Sequence, residues 1–170
     1  YDVSKSCADL LANTYANSYD LAVCVTRCGN LYGPGDFNFS RLVPDTIRSI
    51  LKGKALLIRS NGKFIRDYVY VKDIAGAYML LGEKMLKKGI RGEAFNFSDE
   101  KPLSVLEMVN KINGLMRQKP RYKILNKAKY EIRDQYLDSS KAAKLLGWKP
   151  SYSIDEALNE TINWYRTRIK

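Results

Sequence analysis

The period of the hydrophobic pattern switches repeatedly along this chain, and that switching constrains its fold more than any other feature. Between Ser4 and Ser18 apolar residues fall at positions 7, 8, 10, 11, 12, 15 and 16, the spacing of one helix face. Leu21-Ala-Val-Cys-Val-Thr26 then follows as a short β-branched run that reads as a buried strand. Leu42 to Lys52 is helical again, with Pro44 in its first turn and Gly53 beyond its end. Ala55 to Arg59 and Asp67 to Val71 read as strands, with Ser60-Asn61-Gly62 as the turn between them. Asp73 is the expected N-cap of a helix from Ile74 to Lys87 that Gly89 closes. A strand over Glu93 to Phe97 and a helix opened by Ser104 come next, with Glu107 at capping-box spacing and an end near Met116. Tyr122 to Leu125 is weakly strand-like. Ser139 opens a short helix stopped by Gly147, and Ser153 to Lys170 forms a longer amphipathic one. Asn30 to Ser40, rich in Gly, Pro, Asn and Asp, is expected to be loop. Alternation of this kind predicts an α/β fold.

Composition narrows the chemistry. The chain has no histidine, which removes the usual neutral-pH general base and the commonest metal ligand. Cys7, Cys24 and Cys28 make neither a disulfide framework nor a zinc site, so no metal is expected and the thiols suit a reducing, cytoplasmic setting. No stretch reaches the ~20 apolar residues of a membrane span, and no membrane partner is expected. Lys plus Arg number 29 against 18 Asp plus Glu, a net charge of +11 that favours an anionic partner. The basic residues read as scattered and interleaved with acidic ones. A basic nucleic-acid-binding domain would explain the charge, but no nucleic-acid-binding signature is present, so nucleic acid is not the expected partner. A catalytically dead scaffold that dimerises through Ser4 to Ser18 is the other alternative.

Tyr1-Asp2-Val3-Ser4-Lys5 sets a phenol and an ammonium four residues apart. On a helix that spacing puts both on one face with Cβ atoms ~6 Å apart, and a nearby cation favours the phenolate. Such a tyrosine can take a hydroxyl proton while hydride leaves the adjacent carbon. Further on stand Arg27-Cys-Gly-Asn-Leu-Tyr-Gly-Pro-Gly35, Leu42-Val43-Pro44, Arg66-Asp67-Tyr68-Val69-Tyr70-Val71-Lys72-Asp73, Phe95-Asn96-Phe97, Leu145-Leu-Gly-Trp-Lys-Pro150 and Thr161-Ile-Asn-Trp-Tyr165. In this order and spacing the series resembles the extended short-chain dehydrogenase/reductase family of nucleotide-sugar epimerases and dehydratases, from Tyr1 to about Tyr165. Gly-Asp followed by Arg-Leu-Val-Pro-Asp, and the later Asp134-Gln-Tyr-Leu-Asp138, look most like CDP-glucose 4,6-dehydratases.

The resemblance implies NAD as cofactor and a CDP-, UDP-, dTDP- or GDP-linked hexose as substrate. It implies that Tyr1 is the catalytic base and that Lys5 contacts the nicotinamide ribose and tunes it. It gives Asn30 a hydrogen bond to the nucleotide-sugar near its phosphates, and gives the backbone of Leu42 and Val43 the nucleotide base. Arg66 matches the arginine that clamps the diphosphate, where a planar fork suits two oxygens. Tyr32 and Gly33 match the turn that flanks cofactor and substrate. Residues 1–30 then belong to the Rossmann domain, as the catalytic helix and following strand. Residues 31–170 belong mainly to the nucleotide-sugar-binding domain, from which segments can return to the Rossmann sheet. The family's glycine-rich dinucleotide turn, the Ser or Thr preceding the tyrosine and the Arg-x-Gly-Asp phosphate segment have no counterpart here; near the last the chain offers Lys127 and Arg133. The chain opens inside a motif and without methionine. The expectation is therefore the C-terminal portion of a longer, homodimeric enzyme, inactive alone and unable to hold NAD tightly.

Overall fold

Where strands form in this chain depends on partners far away in sequence. The computed structural model describes residues 1–87, 89–128 and 131–169. Helix α1 (Asp2–Ser18) leads to strand β1 (Val25–Cys28), which pairs in parallel with β6 (Ala94–Phe97), Val25 opposite Ala94. The strand expected from Leu21 thus begins four residues later, where β6 first supplies a partner. The carbonyl of Val23 instead accepts the amide of Gly92 (2.8 Å) from a turn.

Strand β2 (Asn30–Tyr32) pairs in parallel with β5 (Tyr68–Tyr70), so the expected loop starts three residues late. Three residues beside glycines give no periodic signal; a partner 38 positions away makes them a strand, and Tyr32 packs against Tyr70 with ring centroids 5.8 Å apart. Helix α2 (Leu42–Leu51) forms as expected. Strand β3 (Leu56–Ile58) does not form a hairpin with the Asp67–Val71 run; it pairs in parallel with β8 (Tyr122–Ile124). The Ser60-Asn61-Gly62 bend exists, held by the amide of Lys63 on Asn61 Oδ1 (2.9 Å), but it joins different sheets. It leads into β4 (Ile65–Arg66), flanked by antiparallel β7 (Leu103–Ser104) and parallel β9 (Asp134–Gln135).

Helix α3 (Val71–Lys84) starts at N-cap Tyr70, which corrects the role expected of Asp73. Asp73 lies inside the first turn, buried, where its carboxylate accepts the amide of Ser151 (2.7 Å) and ties α3 to the chain after Trp148. The helix also stops at Lys84, before the expected Lys87, and the Lys84 ammonium caps the Leu146 carbonyl. Helix α4 (Val105–Leu115) and helix α6 (Ile154–Arg168) both carry complete capping boxes, Ser104 with Glu107 and Ser153 with Glu156. Each such cap is worth about 1 kcal/mol. Helix α5 (Ser140–Leu146) ends at Gly147, whose φ of 69° is left-handed backbone that a glycine adopts without steric cost. Lys170, the expected end of the last helix, lies outside the described residues.

Two main cores result. One gathers Ile47 of α2, Met108 and Ile112 of α4, and Leu158, Ile162 and Tyr165 of α6 around Tyr32, Tyr68 and Tyr70. The other sets Phe95 and Phe97 against Ile74, Ala77, Leu146 and Trp148. Each fully buried side chain of this size contributes about 1.5–3 kcal/mol through removal of apolar surface from water. Trp148 packs edge-on to Phe97 (5.0 Å) and Trp164 edge-on to Tyr165 (5.0 Å). Among the described residues no helix is long and apolar enough to cross a membrane.

Candidate active site

Tyr1 and Lys5 lie at the head of α1. Tyr1 is the N-cap, 90% exposed, and its carbonyl accepts the Lys5 amide (3.0 Å) as the first helical bond. The Lys5 ammonium sits 5.5 Å from the centroid of the Tyr1 ring. One helix turn therefore places the phenol and the ammonium together and open to solvent.

Asn30 opens β2. Its amide donates to the carbonyl of Asp67 (2.6 Å), and it lines a small cavity of about 50 Å³ with Cys28, Gly29, Asp67 and residues 135–137. Arg66 is the register partner of Gln135, one of the residues lining that cavity, but does not itself line it. The Arg66 guanidinium is not free. It donates to the carbonyls of Ile65 (2.8 Å) and Arg133 (3.2 Å) and pairs with Glu131 (3.4 Å) beside the Phe64 ring.

Asp67 stands in the sequence only as part of the Arg66–Asp73 motif and of an expected strand, with no role attached. It is 2% exposed, Arg66 pairs with Glu131, and the Asp67 Oδ1 atom has no partner among the described residues. Its Oδ2 accepts the amide of Leu137 (3.3 Å). Burial raises its pKa above the ordinary carboxylate value, and Glu100 adds to this, while Ser98 and the Leu137 amide oppose it. Asp67 thus links the strands that carry Asn30 and Arg66 to the segment 135–137. Gln135, Tyr136 and Leu137 were legible only as part of the Asp134–Asp138 motif, with no role attached.

The remaining expected positions divide. Leu42 is half-buried and Val43 buried, both in the first turn of α2, with side chains turned to the core. Tyr32 is buried in the same core, and burial pushes its phenol well above its ordinary pKa. At Gly33 a Cβ would stand 2.3 Å from Val71 Cγ1, so the chain leaves β2 in direct contact with the start of α3. The structure does not bring Tyr1 and Lys5 into the cavity that Asn30 lines. No cluster of three metal-ligating side chains occurs among the described residues, and the three cysteines are free thiols.

Parallel strand pairs joined through helices and a Tyr-x-x-x-Lys helix leading into β1 define a class: the Rossmann-type fold of the extended short-chain dehydrogenase/reductases. Residues 1–161 match the GDP-mannose 4,6 dehydratase family, and the chain belongs to it. A dTDP-glucose 4,6-dehydratase of Xanthomonas campestris is 31% identical over 98% of this chain and 49% of its own length. A trifunctional UDP-glucose 4,6-dehydratase/epimerase/reductase of Arabidopsis thaliana is 32% identical over 97% of this chain and 24% of its own. Among solved structures, the dTDP-glucose 4,6-dehydratase of Bacillus anthracis in complex with NAD superposes with a TM-score of 0.86. It is 30% identical, covering 98% of this chain and 52% of that one. The UDP-glucose 4-epimerase of Thermotoga maritima with UDP-glucose gives 0.87 at 29% identity, over 100% of this chain and 54% of that one. The chain spans no more than about half the length of these relatives.

Proposed function

We propose that this chain is the substrate-binding and proton-transfer segment of an NAD-dependent nucleotide-sugar 4,6-dehydratase or epimerase that works through a 4-keto sugar. In this reading residues 1–30 belong with the cofactor domain and residues 31–170 form mainly the nucleotide-sugar domain. The observation that carries it is the cavity that Asn30 lines together with Gln135, the register partner of Arg66. Arg66 then holds the diphosphate by two parallel N–H···O bonds while Asn30 fixes its sugar side. The first turn of α2, at Leu42 and Val43, offers backbone groups to the base.

Tyr1 takes the proton from the sugar hydroxyl, and Lys5 orients it and contacts the ribose. The donor set suits the cofactor: a phenol and an ammonium open on one helix face can hydrogen-bond ribose hydroxyls. NAD, when bound, supplies the acceptor for the hydride that leaves the same sugar carbon. Buried Tyr32 contributes by fixing the turn at Gly33 and not by direct contact. Because nothing covers Tyr1, the 170-residue chain alone is expected to show no turnover. The exposed Val3, Leu10, Leu11 and Tyr15 of α1 suit the homodimer expected of the whole enzyme.

A thermal-shift panel of CDP-, UDP-, dTDP- and GDP-glucose at fixed ionic strength tests the reading. One nucleotide-sugar should raise Tm with saturation, and inorganic sulfate at equal charge should not. Equal responses to all of them and to sulfate would discard it.

A further inference from the structure

The fold holds the Arg66 guanidinium by one end. Its Nη1 donates to the carbonyls of Ile65 (2.8 Å) and Arg133 (3.2 Å), and its carbon lies 5.6 Å from the centroid of the Phe64 ring. The Arg133 carbonyl also accepts the Ile65 amide (2.9 Å), so it is part of the ladder between β4 and the chain entering β9. The edge left over is Nε with Nη2. In a planar guanidinium that edge presents two parallel N–H bonds, the arrangement that takes two oxygens of a carboxylate or a phosphate side by side.

A carboxylate already stands at that edge. Glu131 Oε2 lies 3.4 Å from Nη2, and among the described residues Glu131 makes no other ion pair. The partners are unequal. The Arg66 side chain is 14% exposed and the Glu131 side chain 53%. Arg66 is anchored by two carbonyls and a ring, whereas Glu131 has this single long contact. An anion arriving at the fork therefore displaces Glu131 and leaves Arg66 in place. In a chain of net charge +11, an acidic side chain on this fork works against the capture of an anion.

We propose, on the reading of Arg66 as the diphosphate clamp, that Glu131 is a stand-in anion that occupies the ligand edge of Arg66 and is exchanged for phosphate oxygens when a nucleotide-sugar binds. While the site is empty, the exchange partner keeps a largely buried guanidinium paired, and an unpaired charge at such a position is costly. On binding, the ligand gives up the strength of the ion pair it breaks, a factor of about two to five for a pair this open to water. Substrate and product of a 4-keto-sugar reaction carry the same diphosphate, so Glu131 weakens both alike. Its effect on turnover is to hasten release of the product.

Affinity and dissociation rate are measured on the 170-residue chain at fixed ionic strength, with whichever of CDP-, UDP-, dTDP- and GDP-glucose binds most tightly. Glu131→Gln should bind it about two- to fivefold more tightly, with most of the gain in slower dissociation. Asp134→Asn removes the same unit of charge three residues on, opposite Ile65, and should change affinity by less. In an Arg66→Ala background the gain from Glu131→Gln should vanish, because its cause is the contact with Arg66. Circular dichroism checks that each variant keeps the fold of the wild type. The proposal alone is overturned if Arg66→Ala weakens binding while Glu131→Gln leaves it unchanged. It is equally overturned if Asp134→Asn tightens binding as much, or if the gain persists without Arg66. Undiminished affinity in Arg66→Ala, or no binding of any of the four nucleotide-sugars, discards the reading of the clamp and this proposal with it.

Discussion

Helices α1 and α4 both have apolar residues at helical spacing, yet they are used in opposite ways. Of the seventeen residues of α1 only Ala16 is buried, while Val3, Leu10, Leu11 and Tyr15 face solvent. Its ties to the body are polar: Asn13 donates to the Gly92 carbonyl (3.0 Å), and Asp9 pairs with Arg27 (2.6 Å). The eleven residues of α4 bury Met108, Val109, Ile112 and Asn113 between α2, α6 and β3. The amphipathic pattern alone therefore does not say whether a helix face is satisfied within the chain. Burial shows that α2, α4 and α6 share a core, while the apolar residues of α1 stay exposed.

The largest effects expected from this contrast are in the core. Ile112→Ala should cost about 2–5 kcal/mol of unfolding free energy, read from denaturant midpoints, because a fully buried side chain leaves a cavity. Leu10→Ala, by contrast, should change the stability of this chain by less than about 0.5 kcal/mol. Equal costs would mean that α1 is packed more tightly than its exposure indicates. Gly33→Ala comes next, at about 1–3 kcal/mol, since its Cβ collides with Val71 at the mouth of the turn. Ser104→Ala should cost about 1 kcal/mol by removing the cap of α4, measured in the same way.

The smallest expected effect is on the pH dependence of stability. Asp67 has a raised pKa in the folded state, so its stabilising contribution is full below the ordinary carboxylate value and is lost as pH rises through the raised one. The capping carboxylates Glu107 and Glu156 have lowered values and act the other way, losing their contribution as pH falls. Asp67→Asn should therefore flatten the fall in Tm across the weakly acid range and leave the strongly acid limb in place. An unchanged profile would remove Asp67 from the account of the cleft.

Much of this architecture was legible in the residues. Ser104 with Glu107, Ser139 with Gly147 and Ser153 with Glu156 marked helix ends because caps are local chemistry. Strand partners were not legible. β3 reads as half of a hairpin because Ser60-Asn61-Gly62 is a good bend, but the partner it finds is β8, about sixty residues on. Asp73 looks like a cap, yet its carboxylate serves Ser151 from inside α3. The same limit applied at the site. Asn30 and Arg66 were named through the family resemblance, whereas Asp67 and residues 135–137 joined the cavity of Asn30 only through long-range strand pairing.

The most direct measurement is isothermal titration of the preferred nucleotide-sugar into the wild-type chain, Asn30→Ala, Arg66→Ala and the double variant. The account predicts a loss of about tenfold or more for Arg66→Ala, from the charge-assisted bonds removed, and a smaller loss for Asn30→Ala. The double variant should fall short of the summed losses, because the two side chains act on one ligand group. Unchanged affinity in Arg66→Ala, with the fold intact by circular dichroism, would contradict the proposal that this cleft receives a sugar diphosphate.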